Sequence, residues 1–229
     1  MLLGKDLVIA LVSSFIAIGC FDFVCRLTIP DKNTRWYLTH AITNFVVVIF
    51  VIPDCIALLR DPAACLEAPS NSDIPLAITV ALHIFHCVSQ IKTLSVVDWM
   101  HHLFGNILVC ALAFPFHYGP LLSWGTFFVC GAPGGLDYLL LFLVKTKYMN
   151  KIQEKEWNRV LNMWIRLPGI LFFVPLAYSA YVEGRTSVPL PVLSLQGALN
   201  FTNAIYFADR VVANTAVAVY KEEEKIKKV

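Results

Sequence analysis

The chain has 229 residues, of which 58% are hydrophobic and 15% charged, with a mean hydropathy of +0.67 and a formal net charge of +2. Soluble domains carry about 25% charged residues, so this composition excludes an ordinary soluble protein and predicts an all-α, multi-pass transmembrane helical bundle. The small net charge and the lack of a nucleic-acid-binding motif exclude nucleic acid as a partner.

Seven apolar segments follow one another along the chain, at roughly residues 6–29, 36–59, 74–91, 96–116, 120–144, 164–182 and 189–220. The first is too long for a signal-peptide core and lacks a small-residue cleavage site, so we interpret it as a membrane span. The sequence thus predicts a first transmembrane helix at 1–30, a transmembrane domain at 31–220 and a charged tail at 221–229. The only long polar connection is predicted at 145–159.

Lysine and arginine residues are distributed unevenly between the two sides of such a bundle. With seven spans, nearly all of them lie on the side of the C-terminal tail, whereas the opposite side has only Lys5, Arg60 and Arg185. The positive-inside rule therefore predicts that the C-terminus lies on the cytosolic or matrix side and the N-terminus on the opposite side.

The fourth span carries a polar stripe at helical spacing. Its members recur at i, i+3, i+4, i+7 and i+8, on one face of a helix, and are Asp98, His101, His102, Gly105 and Asn106. Ionisable side chains at membrane depth cost several kcal/mol unless they face protein or water. The stripe predicts a functional site that faces the bundle interior, with interhelical hydrogen bonding as the simpler interpretation.

Other spans also carry polar side chains at depth. They are His40 and Asn44 in the second span, His83 and His86 in the third, Asp137 in the fifth, and Asn203 and Arg210 in the seventh. With Asn106 they form a candidate lipid-binding set, in a polar cavity that we predict to be lined by helices two, four, five and seven. Arg210 is expected either to be a counter-ion for Asp98, Asp137 or Asp209, or to bind a lipid headgroup.

The cysteines are interpreted mainly as small core residues. The seven cysteines form no CxxC pair, and most lie within apolar runs. Only Cys55 and Cys65 flank a loop closely enough to suggest a disulfide.

Several segments taken together resemble the TLC domain family, which includes ceramide synthases and smaller lipid-homeostasis proteins. Residues 33–35 followed by His40 resemble the start of its first shared helix, and residues 98–102 (DWMHH) resemble its double-histidine signature. Residues 137–140 (DYLL), with Tyr148 after them, resemble its segment around an aspartate, and residues 200–220 resemble its last helix. The resemblance covers about residues 30–225 and implies the fold and a lipid-facing interior.

The departures from the family pattern concern catalysis. The acyltransferase branch has a His-Asp pair where this chain has Pro133 and Gly134. The longer N-terminal region and the extra basic-aromatic motif of ceramide synthases are also missing from this sequence. The chain therefore resembles the small single-domain members more than the ceramide synthases.

Two functions compete for the stripe. In the first, Asp98, His101 and His102 hold a lipid headgroup while apolar walls hold its acyl chains, which gives a lipid-binding or lipid-homeostasis protein. In the second, acyl-CoA is the substrate, His101 or His102 is the base of an acyltransferase, and Asp98 orients the imidazole.

A metal enzyme is the third hypothesis. The spacings His83-x-x-His86 and Asp98-x-x-His101-His102 are similar to the histidine boxes of membrane di-iron enzymes, which need about eight histidines. This chain has six. The prediction is therefore no cofactor and no metal centre, although a mononuclear site stays open.

A structural role is the fourth hypothesis, in which the chain is an accessory subunit of a larger organellar membrane complex. Its partners are then other protein subunits as well as membrane lipids. The charged tail is the expected contact surface, with Lys225 and Lys227 placed like a dilysine-type retrieval signal. The predicted location is the endoplasmic reticulum membrane, with the mitochondrial inner membrane or another organelle membrane as the alternative. Instead of a retrieval signal, the two lysines are explained equally well as a basic end that binds anionic lipid.

Overall fold

A computed structural model describes residues 5–63, 74–116 and 118–227. The long elements within these ranges are seven helices, which confirms the all-α fold. They are α1 Lys5–Cys25, α2 Lys32–Arg60, α3 Ile74–Gln90, α4 Val96–Ala113, α5 Pro120–Lys145, α6 Lys151–Val182 and α7 Leu190–Ile226. Each predicted span corresponds to one helix.

Five of these helices, α1, α2, α4, α5 and α6, are long and apolar enough to cross a membrane. α3 is apolar but has only 17 residues. α7 has 37 residues, and its amide side chains lower its hydropathy. By length and composition the chain is an integral, multi-pass membrane protein.

On the basic side of the bundle, the start of α6 and the end of α7 differ from the sequence prediction. α6 begins at Lys151, so the polar connection shortens to residues 146–150. The reason is a capping box, in which Asn150 Oδ1 accepts from the backbone N–H of Gln153 and the Gln153 side chain accepts in return from the N–H of Asn150. α7 likewise continues into the charged tail as far as Ile226, supported there by an ion pair between Lys225 and Glu222 at 3.1 Å.

α2 lies at the centre of the bundle and contacts α1, α3 and α5. α6 packs against α7, and α1 packs mainly against α3. Ile18 is the one buried residue of α1, and Leu11 and Phe15 are partly buried against the core, whereas Val8, Val12 and Ile16 are exposed, as expected of a helix with one face in lipid. The largest apolar core cluster has members from every helix from α2 through α7. Leu58, Leu121 and Phe173 are among its fully buried members.

The start of α2 is held by two sets of polar contacts. Asp31 is its N-cap and accepts from the N–H of Thr34 at 2.8 Å. Hydrogen bonds from Thr34 lower the pKa of the exposed Asp31 carboxyl group from its usual value. Arg35 Nε then reaches Asp22 Oδ1 on α1 at 3.2 Å, and its Nη1 donates to the carbonyl groups of the connecting turn. These contacts fix the turn between the first two helices.

Three helices widen locally into π-helical turns. These segments are His101–Leu108 in α4, Phe127–Gly131 in α5 and Asn162–Arg166 in α6. A π turn bonds residue i to i+5, shifts the side chains that follow it onto a different face, and is frequent at functional sites. All three segments lie beside the same interior space.

The structure describes only one of the two cysteines of the suggested disulfide, Cys55 and Cys65. Cys55 is a free thiol in the core of the bundle. Cys65 lies outside the described residues.

Candidate functional site

The histidines of α2, α3 and α4 meet inside the bundle. His40 comes from α2, His83 and His86 from α3, and His101 and His102 from α4. Adjacent ring centroids are 4.5 Å apart for His86 and His102 and 5.2 Å apart for His83 and His102. The sixth histidine, His117, lies outside the described residues.

Three of these rings form a compact group. His83, His101 and His102 each offer a ring nitrogen, and the three nitrogen atoms all lie within 4.8 Å of one another. His83 and His102 are fully buried, whereas His101 is partly buried. Neither imidazole of the predicted pair on α4 therefore faces lipid.

Hydrogen bonds orient two of the three rings. His83 Nδ1 lies 2.8 Å from the carbonyl oxygen of Thr79, one turn earlier on α3, so this nitrogen carries the proton and donates. Asn106 Nδ2 lies 3.1 Å from Nε2 of His101 and donates to the backbone carbonyl of His101 at 3.2 Å. The separation of five residues between His101 and Asn106 is the one that a π-helical turn brings onto the same face.

Aromatic side chains hold the remaining two histidines. The His86 ring stacks on Trp36 at a centroid distance of 3.7 Å, and the His40 ring stacks on Tyr138 at 3.7 Å. His40 Nδ1 is also 3.0 Å from Asn44 Nδ2. These contacts fix both rings by packing.

The histidine cluster borders a polar cavity of about 190 Å³, named here the polar chamber. Its lining confirms helices two, four, five and seven as predicted, and α3 and α6 contribute as well. The polar side chains of the lining are those of His40, Asn44, His83, Asp98, His101, Asn106, Asp137, Tyr138, Arg166 and Asn203. His86 and His102 lie behind this wall.

The opposite wall is a polar network on α5 and α6. Asp137 Oδ1 accepts from Asn158 Nδ2 at 2.7 Å, and Asp137 Oδ2 lies 4.0 Å from Arg166 Nη1. Arg166 also donates to Asn162 Oδ1 at 2.9 Å, and the buried Glu154 is paired with Lys155 at 3.2 Å. The network places one guanidinium beside one carboxyl group at the edge of the chamber.

Several polar atoms around the chamber are buried without a hydrogen-bond partner among the described residues. They are Asn44 Oδ1, His86 Nδ1, His102 Nδ1 and Arg166 Nε. A buried polar atom left without a partner costs about 1–3 kcal/mol. Asn44 and Arg166 line the chamber, so their atoms indicate a site that binds a polar group, because such a group would supply the missing partners.

An apolar groove adjoins the chamber between α4 and α7. It has a volume of about 420 Å³ and is named here the α4–α7 groove. Its walls include Met100, Phe104, Leu199 and Thr202. Val97, His101, Asn203 and Phe207 line both the chamber and the groove. Polar and apolar binding spaces therefore meet at one boundary.

Two residues of the predicted site have different surroundings from those expected. Asp98 lines the chamber, but its Oδ2 accepts from the backbone N–H of Ser95 at 2.9 Å and from the Ser95 hydroxyl at 2.7 Å, in a capping box that starts α4. Arg210 is exposed and donates to the Tyr206 hydroxyl at 2.9 Å. The cation beside Asp137 is Arg166, so Arg210 is not the partner of Asp137, which was one of its predicted alternatives. Binding of a lipid headgroup by Arg210 stays a prediction.

The contribution of α6 to the site is absent from the sequence prediction. Glu154, Asn158, Asn162 and Arg166 recur every four residues, which is a helical stripe of the same kind as that in α4. Glu154 and Asn158 lie in the predicted polar connection, Asn162 lies just before the predicted sixth span, and Arg166 lies inside it, so the sequence prediction does not join the four into one stripe.

No protein-family model, curated protein or solved structure matches this chain. Its class consequently follows from the fold and the site alone. The chain is a multi-pass helical membrane protein with a buried cluster formed by His83, His101 and His102.

Proposed function

We propose that this protein binds a membrane lipid, with the polar head in the chamber and a hydrocarbon chain in the α4–α7 groove. The observation that carries the proposal is the shared boundary, where His101 and Asn203 line both spaces. Ligand pockets are mostly apolar with a few convergent polar groups, and the two adjoining spaces have that division. Asn44 Oδ1, an acceptor, and Arg166 Nε, a donor, have no hydrogen-bond partner among the described residues. They favour a lipid head that both donates and accepts hydrogen bonds.

The resemblance to the TLC domain family supports the same proposal. All four segments that carry it contribute to the chamber, through His40, His101, Asp137 and Asn203. We therefore propose membership of this family and a role in lipid homeostasis, in the branch of small single-domain members.

The test is the amount of lipid that co-purifies with the detergent-solubilised full chain, measured by mass spectrometry of an organic extract. Thr202→Trp fills the groove from α7, so bound lipid should fall several-fold. Val212→Trp is the matched control, because Val212 is exposed on the same helix and is not part of the groove lining. Both variants should retain the thermal unfolding midpoint of the unmodified protein. Equal lipid in the two variants would contradict the proposal.

Acyl transfer is the second candidate, favoured by the position of His101 at the boundary between chamber and groove. There an imidazole base could reach a hydroxyl or amine in the chamber and an acyl thioester in the groove. If this is the activity, His101→Ala abolishes turnover of an acyl-CoA with little loss of bound lipid. If the protein only binds lipid, the unmodified protein shows no turnover, and the same substitution lowers bound lipid instead.

The role of an accessory subunit in an organellar membrane complex remains a further proposal. The exposed charged end of α7 is available for a protein partner or for anionic headgroups. Its helical order has a local source in the ion pairs Lys225–Glu222 and Lys227–Glu224, so that order does not itself require a docked partner.

A further inference from the structure

The three imidazoles of His83, His101 and His102 have the composition and the proximity of a metal-ligand set. Two of them are adjacent on the π-helical turn of α4, and the third faces them from α3. Their ligand atoms lie within 4.8 Å of one another. Zinc–nitrogen bonds are about 2.0–2.1 Å long, so the nitrogen atoms need to move modestly closer together to share one ion.

The surroundings of two of the three rings, those of His83 and His102, leave a nitrogen lone pair available. Because His83 Nδ1 donates to the Thr79 carbonyl, its Nε2 is unprotonated and free to coordinate. This arrangement of an imidazole N–H on a backbone carbonyl is the usual second shell of a metal-bound histidine. His102 Nδ1 is buried without a hydrogen-bond partner among the described residues. This nitrogen lacks the partner that a ligand would supply.

We propose that His83, His101 and His102 bind one divalent transition-metal ion, for which Zn²⁺ is the best-suited candidate. Neutral imidazole nitrogen atoms select zinc and its neighbours over Mg²⁺ and Ca²⁺, which prefer oxygen ligands. Three protein ligands leave a fourth position of a tetrahedral ion open to water or to an oxygen atom of a bound molecule. His83 and His101 line the polar chamber, so the open position faces that space.

The charge of the chamber is compatible with a cation. Its lining contains the carboxyl groups of Asp98 and Asp137 and one guanidinium, that of Arg166. The proposal departs from the sequence-based expectation of no metal centre, because only packing brings His83 beside the pair on α4. It is also independent of lipid binding, since the measured quantity is the metal itself.

The experiment measures Zn²⁺ bound to the detergent-solubilised full chain. Purified protein is stripped with a chelator, dialysed, titrated with Zn²⁺ alone against a competing indicator and assayed for metal by mass spectrometry. We expect about one equivalent of zinc per chain. His83→Ala, His101→Ala and His102→Ala should each weaken binding by more than the roughly 10- to 100-fold loss that follows removal of a second-shell partner.

One further histidine is the matched control. His40→Phe keeps an aromatic ring against Tyr138 and should retain the zinc. Because an alanine variant in the cluster could fail to fold, thermal unfolding is measured alongside. Zn²⁺ should raise the midpoint of the unmodified protein and of the control, and chelation should lower it. The absence of zinc binding by the unmodified protein, or an equal loss in the control, would overturn the proposal.

Discussion

Arg166 and Asp137 are the charged residues on which the polar wall of the chamber depends. Their side chains are 15% and 20% exposed, and the guanidinium is the cation nearest to the carboxyl group at 4.0 Å. Opposite charges in a mostly desolvated place attract more strongly than at a surface. The pair therefore ties α5 to α6, whereas the sequence offered Arg210 as one alternative partner of Asp137.

Arg166→Met should lower the free energy of unfolding by about 1–3 kcal/mol, because the Asp137 carboxyl group loses its charge partner and Asn162 loses a donor. Adding Asp137→Asn should recover part of this loss, with a coupling free energy of about 0.5–3 kcal/mol. Unfolding in detergent micelles, followed by circular dichroism, gives both values.

Arg210→Met makes the same chemical change at an exposed site and should alter stability by no more than about 0.5 kcal/mol. If Arg210→Met destabilised the protein as much as Arg166→Met does, the assignment of Arg166 as the structural cation would fail.

At the scale of the helices, the contact between α5 and α6 is unusually close. Gly169 of α6 lies so near the Phe128 ring that a Cβ atom would come within 2.0 Å of it. The Gly169 carbonyl also accepts from Trp124 Nε1 at 2.9 Å. The two π-helical turns, Phe127–Gly131 and Asn162–Arg166, lie beside this crossing. The close approach at Gly169 lies one turn after Arg166, which lines the chamber.

Gly169→Ala should destabilise the fold by about 1–3 kcal/mol, because the added methyl group forces apart helices that are already in contact. Gly197→Ala is the matched control on α7, where a Cβ atom meets nothing within 4 Å. There the higher helix propensity of alanine should leave stability unchanged or raise it by up to about 1 kcal/mol. Thermal unfolding midpoints of the two variants decide the matter, and a drop of similar size in both would refute the packing argument.

At the scale of the whole molecule, the number of crossings sets the orientation. If all seven helices cross, the two ends of the chain lie on opposite sides of the membrane, and the positive-inside rule predicts the C-terminus on the more basic side. α3, with 17 residues, is at the lower edge of the length of about 17–25 residues that a crossing requires. The orientation therefore tests whether α3 and α7 span the membrane.

We expect epitope tags at the two ends to differ in protease protection in sealed membrane vesicles. A tag inserted at 146–150, between α5 and α6, should behave like the C-terminal tag, because α6 and α7 return the chain to the same side. If the N-terminal and C-terminal tags were protected alike, the number of crossings would be even and the seven-span topology wrong.

The sequence alone determined the membrane class of this protein and the approximate position of its helices, apart from residues 151–163 of α6. Backbone polar groups in lipid must be satisfied within a segment, so long apolar runs can only be helices, and each predicted span matches an observed helix. The stripe of Asp98, His101 and His102 was also visible in the sequence, because its members lie within one helix at a regular spacing.

Only the tertiary structure decided which polar residues meet. His83 reaches His102, and Arg166 reaches Asp137, across helices that are separated along the chain, so their contacts depend on packing and not on spacing. The π-helical turn at His101–Leu108 also changes which side chains share a face, which a regular helical period cannot anticipate. The candidate site is therefore a product of helix packing, whereas the membrane fold is a product of composition.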